Sequence, residues 1–200
     1  DEKYITGDAS DYEKFCKWAE CLAPDAGALR KDRRRQVMFE ERKINPELLK
    51  QYREQGYWKN ETLLDCWERA AAQYPDREYV VDDRGYRYTY RELDEAAGRV
   101  ASYLMELGIR PGEVVSYQFP IWSEFAMLTI ACYKVGAVAH PIAMSYEEKE
   151  LARSLNVTES RCYFGPTYFY KTDYEERILA VRDQTPLLKD IVLIDRVKPA

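Results

Sequence analysis

An α/β fold with a largely parallel sheet flanked by helices is predicted by three observations. From Thr89 onward, segments of helical period alternate with short strand-like runs. The connections are short and punctuated by Gly108, Pro111-Gly112, Gly136 and Pro141. Strands joined through helices in this way pair in parallel, with the helices on the faces of the sheet. The 200 residues suit one domain, or a domain with an added arm, and are enough for a sizeable core.

Residues 1–45 differ from the rest. Two short helical patterns, at 12–21 and 27–40, joined by Ala23-Pro24-Asp25, predict a helical arm packed on a main body at 46–200. Asn45-Pro46 then supplies a cap and a first-position proline for a helix running to Gln55, before Gly56. A second helix starts at Thr62, with Leu63, Leu64, Trp67 and Ala71 at helical spacing, and stops at Tyr74-Pro75-Asp76. Residues 79–81 and 86–88 flank Asp82-Asp83-Arg84-Gly85 and predict an antiparallel hairpin.

Thr89 and Glu92 have the spacing of a capping box. The apolar face Leu93, Ala97, Val100, Leu104 and Leu107 follows, with Gly108 as the left-handed stop. A strand is expected at 113–117 and a mostly apolar helix at 122–135, ended by Gly136. Residues 137–139 read as a strand buried on both faces. A further helix is expected from Ser145, with Glu148 three residues on, to about Leu155. Strands at 161–164 and 190–194 bracket a helix at 173–183. There is no internal repeat and no low-complexity segment.

Composition excludes several functions. A formal charge of −5 argues against generic binding to nucleic acid or anionic membrane. No apolar run approaches the length needed to span a bilayer, and the first residues lack a secretion pattern. Cys16, Cys21, Cys66, Cys132 and Cys162 form an odd, scattered set that fits reduced thiols in the cytoplasm. With one histidine and no further paired cysteines, a zinc site is not expected at Cys16 and Cys21. The basic run Arg30-Lys31-Asp32-Arg33-Arg34-Arg35 reads as a solvated helix face, with a phosphate or partner contact as the alternative.

The chemistry-bearing residues are sparse. The nine glycines are isolated, and the strand ending at Tyr117 runs into Gln118-Phe119-Pro120, which cannot cradle a pyrophosphate. A dehydrogenase is therefore not expected. Any Ser-His or Cys-His site would have to use His140, which reads as a structural, hydrogen-bonded residue. Asp82 and Asp83 read as a solvated hairpin tip, where nothing raises a pKa. Tyr163, Phe164, Tyr168, Phe169, Tyr170 and Tyr174 divide between core packing and surface tyrosines, or else serve an interface.

Several segments, taken in order, resemble the start of the adenylate-forming (AMP-binding) superfamily of acyl-CoA synthetases and aryl-acid AMP ligases. They are Tyr52-Arg53-Glu54-Gln55-Gly56-Tyr57-Trp58 with Thr62-Leu63, then Pro75-Asp76-Arg77, then Thr89-Tyr90-Arg91-Glu92-Leu93. Gln118-Phe119-Pro120-Ile121-Trp122-Ser123-Glu124-Phe125 follows, with Lys134-Val135-Gly136-Ala137-Val138 and Pro141. The resemblance covers about residues 45–195 and is strongest to ligases for cyclic or aromatic acids, of the cyclohexanecarboxylate–CoA and dihydroxybenzoate–AMP types. Ile121 stands where near relatives usually have asparagine, so a polar contact there is lost.

What the resemblance implies is an incomplete amino-terminal subdomain of an acid–thiol ligase. The full-length enzyme would use ATP and Mg²⁺, a small carboxylic acid, and coenzyme A or a carrier thiol. The superfamily's phosphate loop, acidic ribose-binding residue and catalytic lysine have no counterpart in these 200 residues. No residue of this chain is therefore assigned a catalytic, cofactor-binding or metal-binding role, and the chain alone is expected to be inactive. Thr89, Glu92 and Gly136 are read as scaffold. Self-association through surface left exposed is expected. The competing readings are a stand-alone interaction module derived from this fold and, more weakly, an unrelated small α/β nucleotide-binding protein.

Overall fold

A computed structural model describes residues 45–59 and 61–194. Apart from Asn45, the arm expected at 1–45 lies outside the described residues, with Cys16, Cys21 and the basic run at 30–35. Helix α1 (Pro46–Glu54) is capped by Asn45, whose side chain accepts from the Glu47 amide at 3.0 Å. Helix α2 (Leu63–Gln73) starts with a capping box between Thr62 and Asp65. Strands β1 (Glu78–Val81) and β2 (Arg87–Thr89) pair antiparallel, as the sequence predicts.

Helix α3 (Tyr90–Glu106) begins with the expected box: the Thr89 amide donates to Glu92 at 2.8 Å, and the Glu92 amide donates back to the Thr89 hydroxyl at 3.3 Å. It is followed by strand β3 (Val114–Tyr117), helix α4 (Ser123–Val135) and strand β4 (Val138–Pro141). Gly136 ends α4 at φ 69°, in the left-handed region. Helix α5 (Glu148–Val157) leads to strand β5 (Ser160–Pro166). A small hairpin of β6 (Tyr168–Phe169) and β7 (Thr172–Asp173) precedes helix α6 (Tyr174–Ala180) and a 3₁₀ turn (Arg182–Gln184). Strand β8 (Asp190–Ile194) ends the described chain.

The main sheet has the order β4-β3-β5-β8, and every pair in it is parallel. Alternation along β3 divides its side chains between two cores. Val115 and Tyr117 join Ala101, Leu104, Leu128, Ala131, Cys132, Val135, Cys162 and Phe164 under α3 and α4. On the opposite face Tyr163 packs with Leu151, Leu155, Ile178 and Val181 of α5, α6 and the following turn. A third cluster, Trp67, Leu93, Ala97 and Ile130, seats α2 on α3 and α4. There Asp94 accepts from the Trp67 indole at 2.6 Å and pairs with the nearly buried Lys134 ammonium at 2.9 Å. No helix among the described residues is long and apolar enough to cross a membrane.

Three expectations are corrected, and one element is additional. Residues 137–139 do not form a strand buried on both faces: β4 is an edge of the described sheet, and Val138 is 47% exposed. Helix α5 starts at Glu148, not Ser145, because the Tyr146 amide donates to the Ala143 carbonyl in a turn. The helix expected at 173–183 ends at Ala180, and Thr185 closes the 3₁₀ turn by donating its hydroxyl to the carbonyls of Val181 and Arg182. The following Pro186 disfavours helical geometry at Thr185. The β6–β7 hairpin has no counterpart among the expected elements, since two-residue strands leave no period to read.

Cys66 is exposed, whereas Cys132 and Cys162 are buried, all three as free thiols. Burial pushes the Cys132 thiol up to about 12 and raises Cys162 further. A water-soluble alkylating reagent should therefore modify Cys66 in the native protein and spare Cys132 and Cys162 until urea unfolds the chain, as read by peptide mass mapping. Equal labelling of the three would contradict this packing.

Candidate functional site

Open parallel sheets present their ligand crevices at the carboxyl ends of their strands. Here the described part of that edge is formed by the residues following Tyr117, Pro141 and Pro166. Gln118 is fully buried there. Its amide donates to the Phe164 carbonyl at 2.9 Å and its side-chain nitrogen to the Ala143 carbonyl at 2.7 Å, while its side-chain oxygen accepts from the Tyr163 hydroxyl at 2.8 Å. The Tyr174 hydroxyl donates to the Met144 carbonyl at 3.1 Å. These bonds fasten the β3–α4 and β4–α5 connections to β5 and α6.

The aromatic residues divide accordingly. Tyr163, Phe164 and Tyr174 are buried, and Phe169 meets Trp122 edge-on with ring centroids 5.5 Å apart. Tyr170 is 84% exposed at a left-handed φ of 57°, and Ile121 is 90% exposed. Tyr168 is also exposed. These three exposed residues make an apolar rim on the connections that follow β3 and β5.

Beside the rim lies a cluster that the sequence placed in water. Asp82 is not on a solvated tip: its carboxylate is wholly buried. It accepts from the amides of Arg84 at 3.0 Å and Tyr86 at 3.2 Å, and from the Arg84 guanidinium at 2.7 Å. The Ser123 hydroxyl donates to it at 3.2 Å and the Ser123 amide at 3.4 Å. The reason is geometric. Helix α4 has Trp122 at its cap position, with no capping side chain, so the hairpin delivers an anion to that positive helix end instead. Asp83 and Gly85 are exposed at the tip.

Arg84 completes the cluster. It also pairs with Glu124 and stacks over Trp122 and Tyr86, 4.4 and 4.9 Å from their ring centroids. Burial pushes the Asp82 carboxyl up, but the hydrogen bonds from Arg84 and Ser123 outweigh it and hold the group below its ordinary value. The only local signal was the Asp-x-x-Gly turn; the partner Ser123 lies 41 residues away.

His140 reaches a serine, but not as a catalytic pair. Its Nδ1 lies 2.8 Å from the Ser116 hydroxyl and its Nε2 3.4 Å from the Ser154 hydroxyl. Ser116 continues to Ser160 at 2.5 Å and Ser160 to Thr158 at 2.8 Å. The Ser116 hydroxyl is fully buried, and the second ring nitrogen faces a hydroxyl, not the carboxylate that orients a catalytic imidazole. The relay fastens α5 to β3, β4 and β5. Among the described residues no three His, Cys, Asp or Glu side chains converge as a metal site requires.

Removing the guanidinium by Arg84→Met leaves the Asp82 carboxylate buried and uncompensated, at an expected cost of about 3–5 kcal/mol in urea unfolding; a loss under about 1 kcal/mol would contradict the pairing. The pH dependence follows from two depressed groups. Burial lowers the His140 pKa, so stability is present above its unfolded value of about 6.5 and is lost as pH falls through the folded value. Asp82 adds a second loss below its unfolded value of about 4. His140→Asn should abolish the first loss and keep the second; an unchanged profile in that variant would refute the assignment.

The geometry can be set beside known proteins. The AMP-binding family, described as AMP-binding enzymes, matches residues 67–200. The chain is 40% identical over 149 residues to the medium-chain fatty-acid–CoA ligase of Escherichia coli (strain K12), covering 74% of this chain and 26% of that protein. It is 31% identical over 147 residues to the 2,3-dihydroxybenzoate-AMP ligase of Bacillus subtilis (strain 168), covering 74% and 27%. Apo MbtA of Mycobacterium smegmatis superposes with a TM-score of 0.63 at 28% identity, over 72% of this chain and 26% of that one. The chain spans about a quarter of the length of these curated relatives. By the family match over more than half of its length, the chain belongs to the AMP-binding enzymes.

Proposed function

We propose that residues 46–200 are the amino-terminal scaffold of an ATP-dependent, AMP-forming acid–thiol ligase, preceded by an arm at 1–45. The observation that carries this reading is the family match over 67–200, with relatives named as ligases of a fatty acid with CoA and of 2,3-dihydroxybenzoate with AMP. In the full-length enzyme a carboxylate oxygen attacks the α-phosphorus of ATP, and the bond to the β-phosphate breaks. Pyrophosphate leaves, and Mg²⁺, when bound, would offset the charge on the phosphates. A thiol of coenzyme A or a carrier then displaces AMP at the acyl carbon, giving the thioester.

No residue described here is given a part in either step. Gln118, Asp82, Arg84 and His140 are already engaged by other protein groups, which supports a supporting role for this portion. The acid is a small carboxylic acid, and the free thiols fit a reducing cytoplasm.

Exchange of radiolabelled pyrophosphate into ATP tests the reading. It should be absent with the 200-residue chain for any acid, and present in a longer form carrying the rest of the family's domain. Exchange by the 200 residues alone would overturn it. The same reading predicts self-association through the apolar rim, seen in sedimentation as mass above the monomer; a clean monomer at high concentration would contradict that part.

A further inference from the structure

We infer that His140 is the pH-sensitive end of a one-way hydrogen-bond relay that latches α5 to the sheet, its neutral ring carrying the proton on Nδ1. This does not depend on the ligase reading. Four bonds run in series. His140 Nδ1 meets Ser116, Ser116 meets Ser160, Ser160 meets Thr158, and the Thr158 hydroxyl donates to the Ser154 carbonyl at 2.8 Å.

Proton supply fixes the direction. The series ends on a carbonyl, which only accepts, so the single Thr158 hydroxyl proton goes to Ser154. Ser160 must then donate to Thr158, and Ser116 to Ser160, because each hydroxyl has one proton. Three hydroxyls serve three of the four bonds. The fourth proton is supplied by His140, as Nδ1–H donating to Ser116. Nε2 is left as the acceptor of the neutral ring, and it faces the Ser154 hydroxyl at 3.4 Å. Ser154 of α5 therefore meets both ends of the series, accepting through its carbonyl and donating through its hydroxyl.

The relay decides where the ring takes up a proton. Nε2 is the open position, and it lies between β4 and α5. The side chains bonded to the ring are hydroxyls, Ser116 of β3 and Ser154 of α5. On β5, Tyr163 is bonded to Gln118 and Arg161 is paired with Asp190. The charged residues of α5, Glu148, Lys149, Glu150 and Arg153, are exposed, as are Glu147 before it and Glu159 after it. Burial is what depresses the titration of the ring. Protonation makes Nε2 a donor, so the Ser154 hydroxyl has to reverse. It also leaves a half-buried cation held by hydroxyls and not by a carboxylate. Strand β4 is an edge of the described sheet, so the charged ring gains water by moving away from α5.

NMR of the 200-residue chain carrying nitrogen-labelled histidine tests the direction, because His140 is its one histidine. Above the titration, Nδ1 is expected to show the protonated, pyrrole-type shift and Nε2 the bare, pyridine-type shift. Thr158→Val removes the terminal donor and frees Ser160 and Ser116 to reverse. Ser116 then donates to Nδ1, and the two shifts are expected to exchange places. Thr158→Ser keeps the hydroxyl and should keep the natural pattern. A bare or averaged Nδ1 in the natural sequence overturns the proposal, as does a pattern that Thr158→Val leaves unchanged.

Hydrogen exchange tests the latch. Below the His140 midpoint, protection of the α5 amides, corrected for the intrinsic pH dependence of exchange, is expected to fall about tenfold, with α3 unchanged. Protection in α5 that stays level across that midpoint, or falls equally in α3, overturns it.

Discussion

The Asp82 carboxylate is the contact on which the amino-terminal half of this fold depends. It ends a hairpin and begins a helix at once, accepting from Arg84 and Tyr86 on one side and from Ser123 on the other. A carboxylate this deep is stable only because every direction of approach supplies a donor. Arg84, held in turn by Glu124 and two aromatic faces, makes the knot directional. The β3–α4 connection is fixed where α4 starts, and with it the rim at the carboxyl edge of the sheet.

The sheet supplies a complementary constraint. Its central strand β3 sends Val115 and Tyr117 into an apolar core and Ser116 and Gln118 into the opposite layer. Polar groups in that layer are satisfied within it: Ser116 by His140 and Ser160, Gln118 by Tyr163 and Ala143. Burial of such groups is tolerated only when they are paired. Their partners come from β4, β5 and the β4–α5 connection, so register is fixed as well as stability. A one-residue slip of β3 would place these polar groups against Leu104 and Leu128.

Much of this was legible in the residues. Thr89 with Glu92, Asn45 with Pro46, and Gly136 announce helix ends through local chemistry that needs no partner elsewhere. The alternation from residue 89 onward gave the parallel sheet for the same reason. What stayed hidden was nonlocal. Asp82 looks like a turn residue unless Trp122 is known to leave α4 uncapped, and Ser116 gives no sign of meeting His140 across two strands. The edge position of β4 was missed because an apolar triplet reads alike at the centre and the margin of a sheet. The family resemblance reached the correct superfamily from ordered motifs that, one by one, are mostly scaffold signals.

A scaffold reading requires that the polar side chains at the carboxyl edge be committed to one another and not held free for a ligand. A double-mutant cycle between Gln118→Ala and Tyr163→Phe, measured by urea unfolding of the 200-residue chain, examines that commitment directly. Two contacting buried partners should show a coupling of about 0.5–3 kcal/mol. Additive losses, with no coupling within error, would mean that Gln118 is not held by Tyr163, and the edge would then have to be read as a site and not a support.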